Sequence, residues 1–353
     1  MGVRPATEDK VLVGGHPQTI ATKMVLPRCV GLIERPRLLE LFTQVQMKRL
    51  SVVKAPAGFG KTSLTVEWAE RLAQSGNSVA WFSIDANDNE LTQFLFYVSH
   101  ALQRACDGVG IAIGLIRETS LISPHAIVST LINDLAEIDE EVYLFLEDYH
   151  WVSDPAIHDA VAFLLRHAPS HFHVVLVTRT EPSLPLAGLR AQNQLLEIDS
   201  WALRFDLEET RRFLEHEGLG QLDPEELKLL HERTEGWPAA LRIVASTSSQ
   251  SGQNFGQYVR QLSGTLRPIG AYLAEMIDSL PRDMALFMLR ISVLDKFSAP
   301  LCQAVTQDTS SQELLESITR RQLLLVPLDH DGRWYRYHTL MTAYLRRARS
   351  LSL

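Results

Sequence analysis

Between residues 50 and 198, short apolar runs alternate with stretches of helical period. The runs 50–53, 79–84, 142–146 and 174–177, with a weaker one at 195–198, are apolar almost throughout, which predicts strands covered on both faces. Between them, Leu64, Trp68 and Leu72 recur at every fourth position before Gly76 supplies a stop, and Leu91, Phe94, Leu95, Val98 and Leu102 keep the same period. Strands alternating with helices predict a parallel sheet with right-handed crossovers. This half of the chain is expected to be α/β.

After Trp201 the pattern changes. Segments 207–217, 224–234 and 238–246 read as short helices, the second opened by Asp223-Pro224-Glu225-Glu226, an N-cap with a first-turn proline and early acids. A Ser/Gln/Gly stretch at 246–257 marks a linker or mobile loop. Helices are expected again around 271–280, 284–291 and 312–320, followed by a hairpin of 323–327 with 334–337 around Asp331-Gly332. Helices followed by a small hairpin suggest a winged helix. The expected division is a tail at 1–23, an α/β domain at 24–200, a helical domain at 201–250, a linker at 251–264 and a winged helix at 265–353.

Composition narrows the function. The chain of 353 residues carries a net charge of −8, which excludes a polycation that coats nucleic acid but leaves room for a local basic patch. Cys29, Cys106 and Cys302 are scattered and form no CxxC pair, so reduced thiols are expected rather than a disulfide framework or zinc cluster. No apolar run reaches the ~18 residues of a membrane span, and the polar N-terminus lacks the apolar centre of a signal peptide. A soluble, cytoplasmic protein is expected.

The strongest chemical signal is Ala55-Pro56-Ala57-Gly58-Phe59-Gly60-Lys61-Thr62, which fits the P-loop pattern except that Ala55 replaces its first glycine. Gly58 and Gly60 permit backbone conformations that turn amides toward phosphate oxygens. Lys61 supplies charge for the β- and γ-phosphates, Thr62 can coordinate Mg²⁺, and the following helix adds its positive end. The apolar run 142–146 then ends in Glu147-Asp148. Beside a P-loop, one such acid holds Mg²⁺ and another orients the attacking water. Weaker signals are Thr178-Arg179, where an arginine at a strand end can sense a γ-phosphate, Gly236-Trp237-Pro238, and Tyr337-His338, whose histidine taken alone reads as structural.

Together these residues resemble the STAND-class ATPases of large bacterial transcriptional regulators, the group typified by the maltose activator MalT. The similar stretches are 30–40, 55–63, 80–85, 146–150, 177–182, 235–240 and 333–345, including Leu-Glu-Asp-Tyr-His, Gly-Trp-Pro and Tyr-Arg-Tyr-His. The resemblance implies an ATP/ADP switch with nucleotide between the α/β domain, the helical domain and the winged helix. It implies nucleotide contact along Ala57, Gly58, Phe59, Gly60, Lys61, Thr62 and Ser63, with Thr62, Glu147 and Asp148 at Mg²⁺ and with Lys61, Glu147 and Asp148 serving hydrolysis. It further implies that Arg179 is the sensor arginine, that Pro238 touches the base, and that His338 reaches the β-phosphate when ADP is held. The chain departs from the family where Glu147 replaces the first of two aspartates. The extra methylene moves that carboxylate by ~1 Å, enough to matter for catalysis.

Family members continue into a helical-repeat sensor and a helix-turn-helix, neither of them visible before Leu353. The expectation is therefore the switch portion of a longer regulator, with inducer binding and self-association through regions absent here. An AAA+ motor or a small-molecule kinase is the competing class, although Gly-Trp-Pro and Tyr-His have no role in a kinase. Arg333, Arg336, Arg346, Arg347 and Arg349 form a basic stretch, yet DNA binding by it is not expected, since in this family the winged helix closes on nucleotide.

Overall fold

A computed structural model describes residues 20–29, 31–110, 114, 123–220, 222–251, 254–261, 267–321, 323–329 and 332–352. Residues 1–19 of the expected tail, Val30, Asp331, and residues 252–253 and 262–264 of the expected linker lie outside the described residues. Strands β1 (Leu50–Lys54), β2 (Ser78–Ser83), β3 (Val142–Glu147), β4 (Phe172–Thr178) and β5 (Leu195–Ile198) form one parallel sheet in the order β2-β3-β4-β1-β5. All five stand where the apolar runs predicted them. Side chains alternate between the faces: β3 sends Tyr143 and Phe145 to one apolar cluster and Leu144 and Leu146 to the other. By the same alternation Glu147 follows Tyr143 and Phe145. Strand β4 lies between β1 and β3, so the C-terminal ends of all three open together.

Helices α1 (Pro36–Val45) and α2 (Lys61–Gln74) cover the face bearing Phe145. The opposite face is covered by α3 (Leu91–Ala105), α4 (Pro124–Ala136) and α5 (Pro155–His167), with Leu186 of the short α6 (Leu186–Ala191) joining them. The apolar period did not single out α1, α4 and α5. Each carries a first-turn proline, and Ser123 and Asp154 cap two of them, which is the local chemistry of a helix start. Chain direction then turns at α7 (Ser200–Leu203) into the second half.

That half consists of α8 (Leu207–His216), α9 (Pro224–Thr234), α10 (Pro238–Ser251), α11 (Phe255–Gln261), α12 (Arg267–Asp278), α13 (Arg282–Ile291), α14 (Ala299–Thr306), α15 (Ser311–Arg320), the antiparallel pair β6 (Leu325–Pro327) and β7 (Tyr335–Tyr337), and α16 (Thr339–Ser352). Asp223 caps α9 in a reciprocal box with Glu226, as its sequence indicated. Against the expectation of a loop, 246–251 and 255–257 are helical: α10 runs to Ser251 and α11 starts at Phe255. The first hydroxyls of this stretch bond back along the helix, Thr247 Oγ1 to Ile243 O at 2.7 Å and Ser248 Oγ to Ala245 O at 3.1 Å, so polarity does not break it. In the winged helix, Phe297 exchanges two backbone hydrogen bonds with Tyr335, placing a third strand position beside β7.

One apolar cluster runs from the α2 face of the sheet through Phe205, Trp237 and Leu241 into Phe287, Phe297 and Leu345 of the winged helix. The three modules therefore share a core. All three cysteines are free, and among the described residues no helix is long and apolar enough to cross a membrane. The turn from α9 to α10 depends on Gly236, whose φ is +66° and whose carbonyl accepts from Phe205 N at 2.8 Å. A Cβ there would lie 2.1 Å from the Phe205 carbonyl oxygen, a backbone atom that cannot step aside. Gly236→Ala is expected to cost more than the ~1–2 kcal/mol of left-handed strain alone, read as a lowered midpoint in urea unfolding.

Candidate functional site

The loop between β1 and α2 holds the first wall of the site. Ala55, standing where the P-loop pattern has glycine, is buried, and its N–H extends the sheet ladder to Thr178 O at 3.3 Å. Gly58 and Gly60 adopt φ of +77° and +78°, and a Cβ on Gly60 would meet nothing within 4 Å. Gly60 is the N-cap of α2, so Lys61, Thr62 and Ser63 stand in its first turn, where helical N–H groups have no partner within the helix. Lys61 is buried and its Nζ donates to Pro56 O at 3.1 Å. Burial pushes its pKa down to about 8, Arg179 adds repulsion, and Asp148 and Glu147 oppose.

The acids come from the end of β3. Thr62 Oγ1 donates to Glu147 Oε1, so the longer side chain at this position closes directly onto the hydroxyl. Glu147 is buried, and its Oε2 has no hydrogen-bond partner among the described residues. Burial raises it to about 7 against the Thr62 hydrogen bond, with Asp148 adding to the rise and Lys61 opposing it. Asp148 follows with φ +56° and a half-exposed side chain. Arg179 is exposed just beyond β4. Lys61, Thr62, Glu147, Asp148 and Arg179 thus meet at the ends of β1, β3 and β4.

His150 joins them, and no role was read for it from sequence beyond its place in Leu-Glu-Asp-Tyr-His. It sits in a 3-10 turn with Nδ1 3.6 Å from Asp148 Oδ1, and neither buried ring nitrogen makes a hydrogen bond among the described residues. Burial pushes it down to about 4, and Arg179 and Lys61 add to the fall. It is a neutral ring at the site.

The second wall is the α9–α10 turn. Ala239 N donates to Gly58 O at 3.0 Å, and a Cβ on Gly58 would stand 2.4 Å from Ala239 Cβ. Trp237 stacks on Phe59 at 6.1 Å and meets His338 edge-on at 5.7 Å. Between the walls lies a cleft of about 470 Å³ whose lining includes Gly58, Gly60, Ser63, Phe213, Pro238 and Arg242. Pro238 is therefore in the cleft. His338 is not: it is buried behind Trp237, and its Nε2, like Trp237 Nε1, lacks a hydrogen-bond partner among the described residues. Burial lowers His338 to about 4, with Glu235 opposing and Arg204 and Arg336 adding.

The residue sequence reading passed over is Glu235, which ends α9 with φ +47°. Holding a non-glycine residue there costs on the order of 1–3 kcal/mol. Its carboxylate accepts from Arg204 Nη1 (3.0 Å), from both Arg336 terminal nitrogens (2.9 Å each), and from Thr339 N (2.8 Å) and Oγ1 (2.6 Å). Burial would raise it, but the hydrogen bonds from Arg336 and Thr339 win and hold it well below the usual carboxylate range. Only its position just before Gly-Trp-Pro could have marked it.

These features suit a phosphate-bearing ligand with a divalent cation. The glycine loop and first turn of α2 present amides, while Thr62 and the unpaired Glu147 oxygen present hard oxygen ligands. Among the described residues no group of three or more His, Cys, Asp or Glu side chains could hold a metal, so a cation here would complete its shell with ligand and water oxygens. The cleft volume is within the range of small-ligand sites.

The parallel sheet, the glycine loop feeding α2 and the acids two strands away define a P-loop ATPase fold, here with a winged helix attached. A solved structure, the Walker-type ATPase PABY2304 of Pyrococcus abyssi, superposes over 88% of this chain and 95% of its own with a TM-score of 0.59 at 13% identity. Residues 273–351 match the MalT winged helix domain. The chain is 32% identical over 94% of its length to the HTH-type transcriptional regulator MalT of Vibrio parahaemolyticus, and 31% identical over 93% to that of Klebsiella pneumoniae. The chain is thus similar to MalT regulators along nearly its whole length, and it spans 37% and 36% of the length of those two relatives.

The buried acid makes the site pH-sensitive. With Glu147 raised from 4.5 to about 7, the folded chain binds more protons than the unfolded one between those values. Stability from this group therefore falls as pH rises through that window, and the penalty is complete above about 7. It amounts to about 3 kcal/mol. Glu147→Gln, which still accepts from Thr62, is expected to raise the thermal midpoint at pH 8 in magnesium- and nucleotide-free buffer and to change little at pH 4. An equal gain at both pH values would refute this account of Glu147.

Proposed function

We propose that this chain is the nucleotide-operated switch of a transcriptional regulator, binding ATP or ADP with Mg²⁺ and hydrolysing ATP slowly. The observation that carries this reading is the Ala239–Gly58 hydrogen bond, which closes the loop of the α/β module with the helical module at a cleft of about 470 Å³. A nucleotide seated in this cleft touches both modules, so its phosphates bear on how the two pack. In this reading the modules lie at 24–200, 201–250 and 265–353, and the tie to transcription comes through the MalT relatives.

In this reading the amides from Ala57 to Ser63 receive the phosphates, and Lys61, whose pKa burial lowers to about 8, is held more firmly in its charged form against them. Thr62 and Glu147 hold the magnesium ion, which when bound neutralises phosphate charge. Asp148, half-exposed and beside His150, orients the attacking water, and Arg179 faces the γ-phosphate end. Pro238 borders the base. His338 reaches the β-phosphate side only by way of a shift of Trp237, and the two unpaired ring N–H or N groups are what a phosphate would satisfy. DNA contact by the arginine stretch has less support, because Arg336 is bound to Glu235, and Arg346 to Ser292 O and Asp295.

Lys61→Ala is expected to abolish ATP and ADP binding in calorimetry while leaving the circular dichroism spectrum intact. Unchanged affinity would reject the nucleotide assignment. Asp148→Asn should lower single-turnover hydrolysis by about 10²-fold or more while affinity changes little, since a water-orienting carboxylate acts mainly in the transition state. Wild-type turnover itself should fall orders of magnitude below the ~1–100 s⁻¹ of kinases.

A further inference from the structure

Glu235 belongs to neither the phosphate end nor the lining of the cleft, yet it joins the helical module to the winged helix. Arg204 reaches it from the start of the helical module, just after α7, and Arg336 and Thr339 reach it from the winged helix, on either side of His338. Within four residues the chain passes from this carboxylate through Gly236 and Trp237 to Ala239, whose N–H holds Gly58. Trp237 meanwhile carries Phe59 of the loop on one side and His338 of the winged helix on another. The turn has almost no freedom to yield, since Gly236 is pressed against the Phe205 backbone and Gly58 against Ala239.

We infer that Glu235 is a positioning residue of the nucleotide site, tying the winged helix through Arg336 and Thr339 to the turn that holds the P-loop. The inference rests on the switch reading above and adds to it the contact through which winged-helix position reaches the loop. Displacing the winged helix removes four of the five hydrogen bonds that keep Glu235 in a left-handed backbone, and the Gly236–Ala239 turn loses its anchor. The loop then loses the Ala239 donor. In reverse, a ligand that tightens the loop against Ala239 favours the docked winged helix, as linkage requires.

The test uses Glu235→Gly and Arg336→Ala in the full chain. Glycine suits the left-handed helix end better than glutamate, so this variant keeps the fold and removes only the carboxylate; if it nevertheless fails to fold, Arg336→Ala breaks the same link from the other side. Backbone hydrogen exchange of 55–62 and 236–241 is measured without nucleotide, and ATP and ADP affinities are measured by calorimetry. The expected result is about tenfold faster exchange in both segments for either variant, about tenfold weaker nucleotide binding, and no further loss in the double variant. Wild-type exchange at 55–62 would overturn the inference even if the thermal midpoint fell, because a merely structural ion pair costs stability without loosening the loop. Additive losses in the double variant would overturn it as well. If the wild-type chain bound neither nucleotide, the switch reading would fail on its own, and the exchange rates would still decide the coupling for or against.

Discussion

The Ala239 amide donates to the Gly58 carbonyl at 3.0 Å, and the two backbones come so near that no Cβ fits at 58. A loop meant to bind an anion through bare amides must keep those amides out of any sheet or helix ladder, so its backbone is only half satisfied by its own element. Here the carbonyl side is satisfied by a different module. Much of the remaining architecture follows: α10 must start at the loop, the α9–α10 turn must be tight enough to bring it there, and Gly236 must accept the contact with Phe205. The shared apolar cluster through Trp237 then stabilises what the backbone contact has brought together.

Two buried glutamates show how partners rather than burial decide charge. Glu147 and Glu235 both suffer desolvation as the largest influence, yet one is raised to about 7 and the other held well below the carboxylate range. Glu147 accepts from Thr62, and its second oxygen is unpaired. Glu235 accepts five hydrogen bonds, three from guanidinium groups. An unsatisfied acid next to a lysine of lowered pKa is a site waiting for charge, whereas a saturated acid between arginines is a joint. The first suits binding and the second suits mechanical coupling.

Other acids serve locally and at long range at once. Glu209 completes the capping box of α8 with Asp206 and also accepts from Arg35 and Arg37, which lie ahead of and within α1. Glu226 does the same for α9 while pairing with Arg260 of α11. The helix starts of the helical module are thereby tied to their neighbours, and Arg35 also lines the cleft. Each helix end is in this way part of a contact between elements.

The strands, the glycine loop, the acids after β3 and the capping of α9 were legible along the chain because they rest on neighbours within a few residues: a run of apolar side chains, two glycines before a lysine, a proline after an aspartate. Helices α1, α4 and α5 carry first-turn prolines, and Ser123 and Asp154 cap the latter two, so their starts too rest on adjacent residues. The polar 246–251 segment misled because serine and threonine hydroxyls can be satisfied inside a helix, which composition does not reveal. Glu235 carries no local mark of its five partners, which come from 31 and more than a hundred positions away. Nor could Tyr337-His338 disclose that Trp237 would stand across its ring. Local geometry and hydrophobic period are written in adjacent residues; which buried charge meets its partners, and which ring is covered, was decided only when the three modules packed against one core.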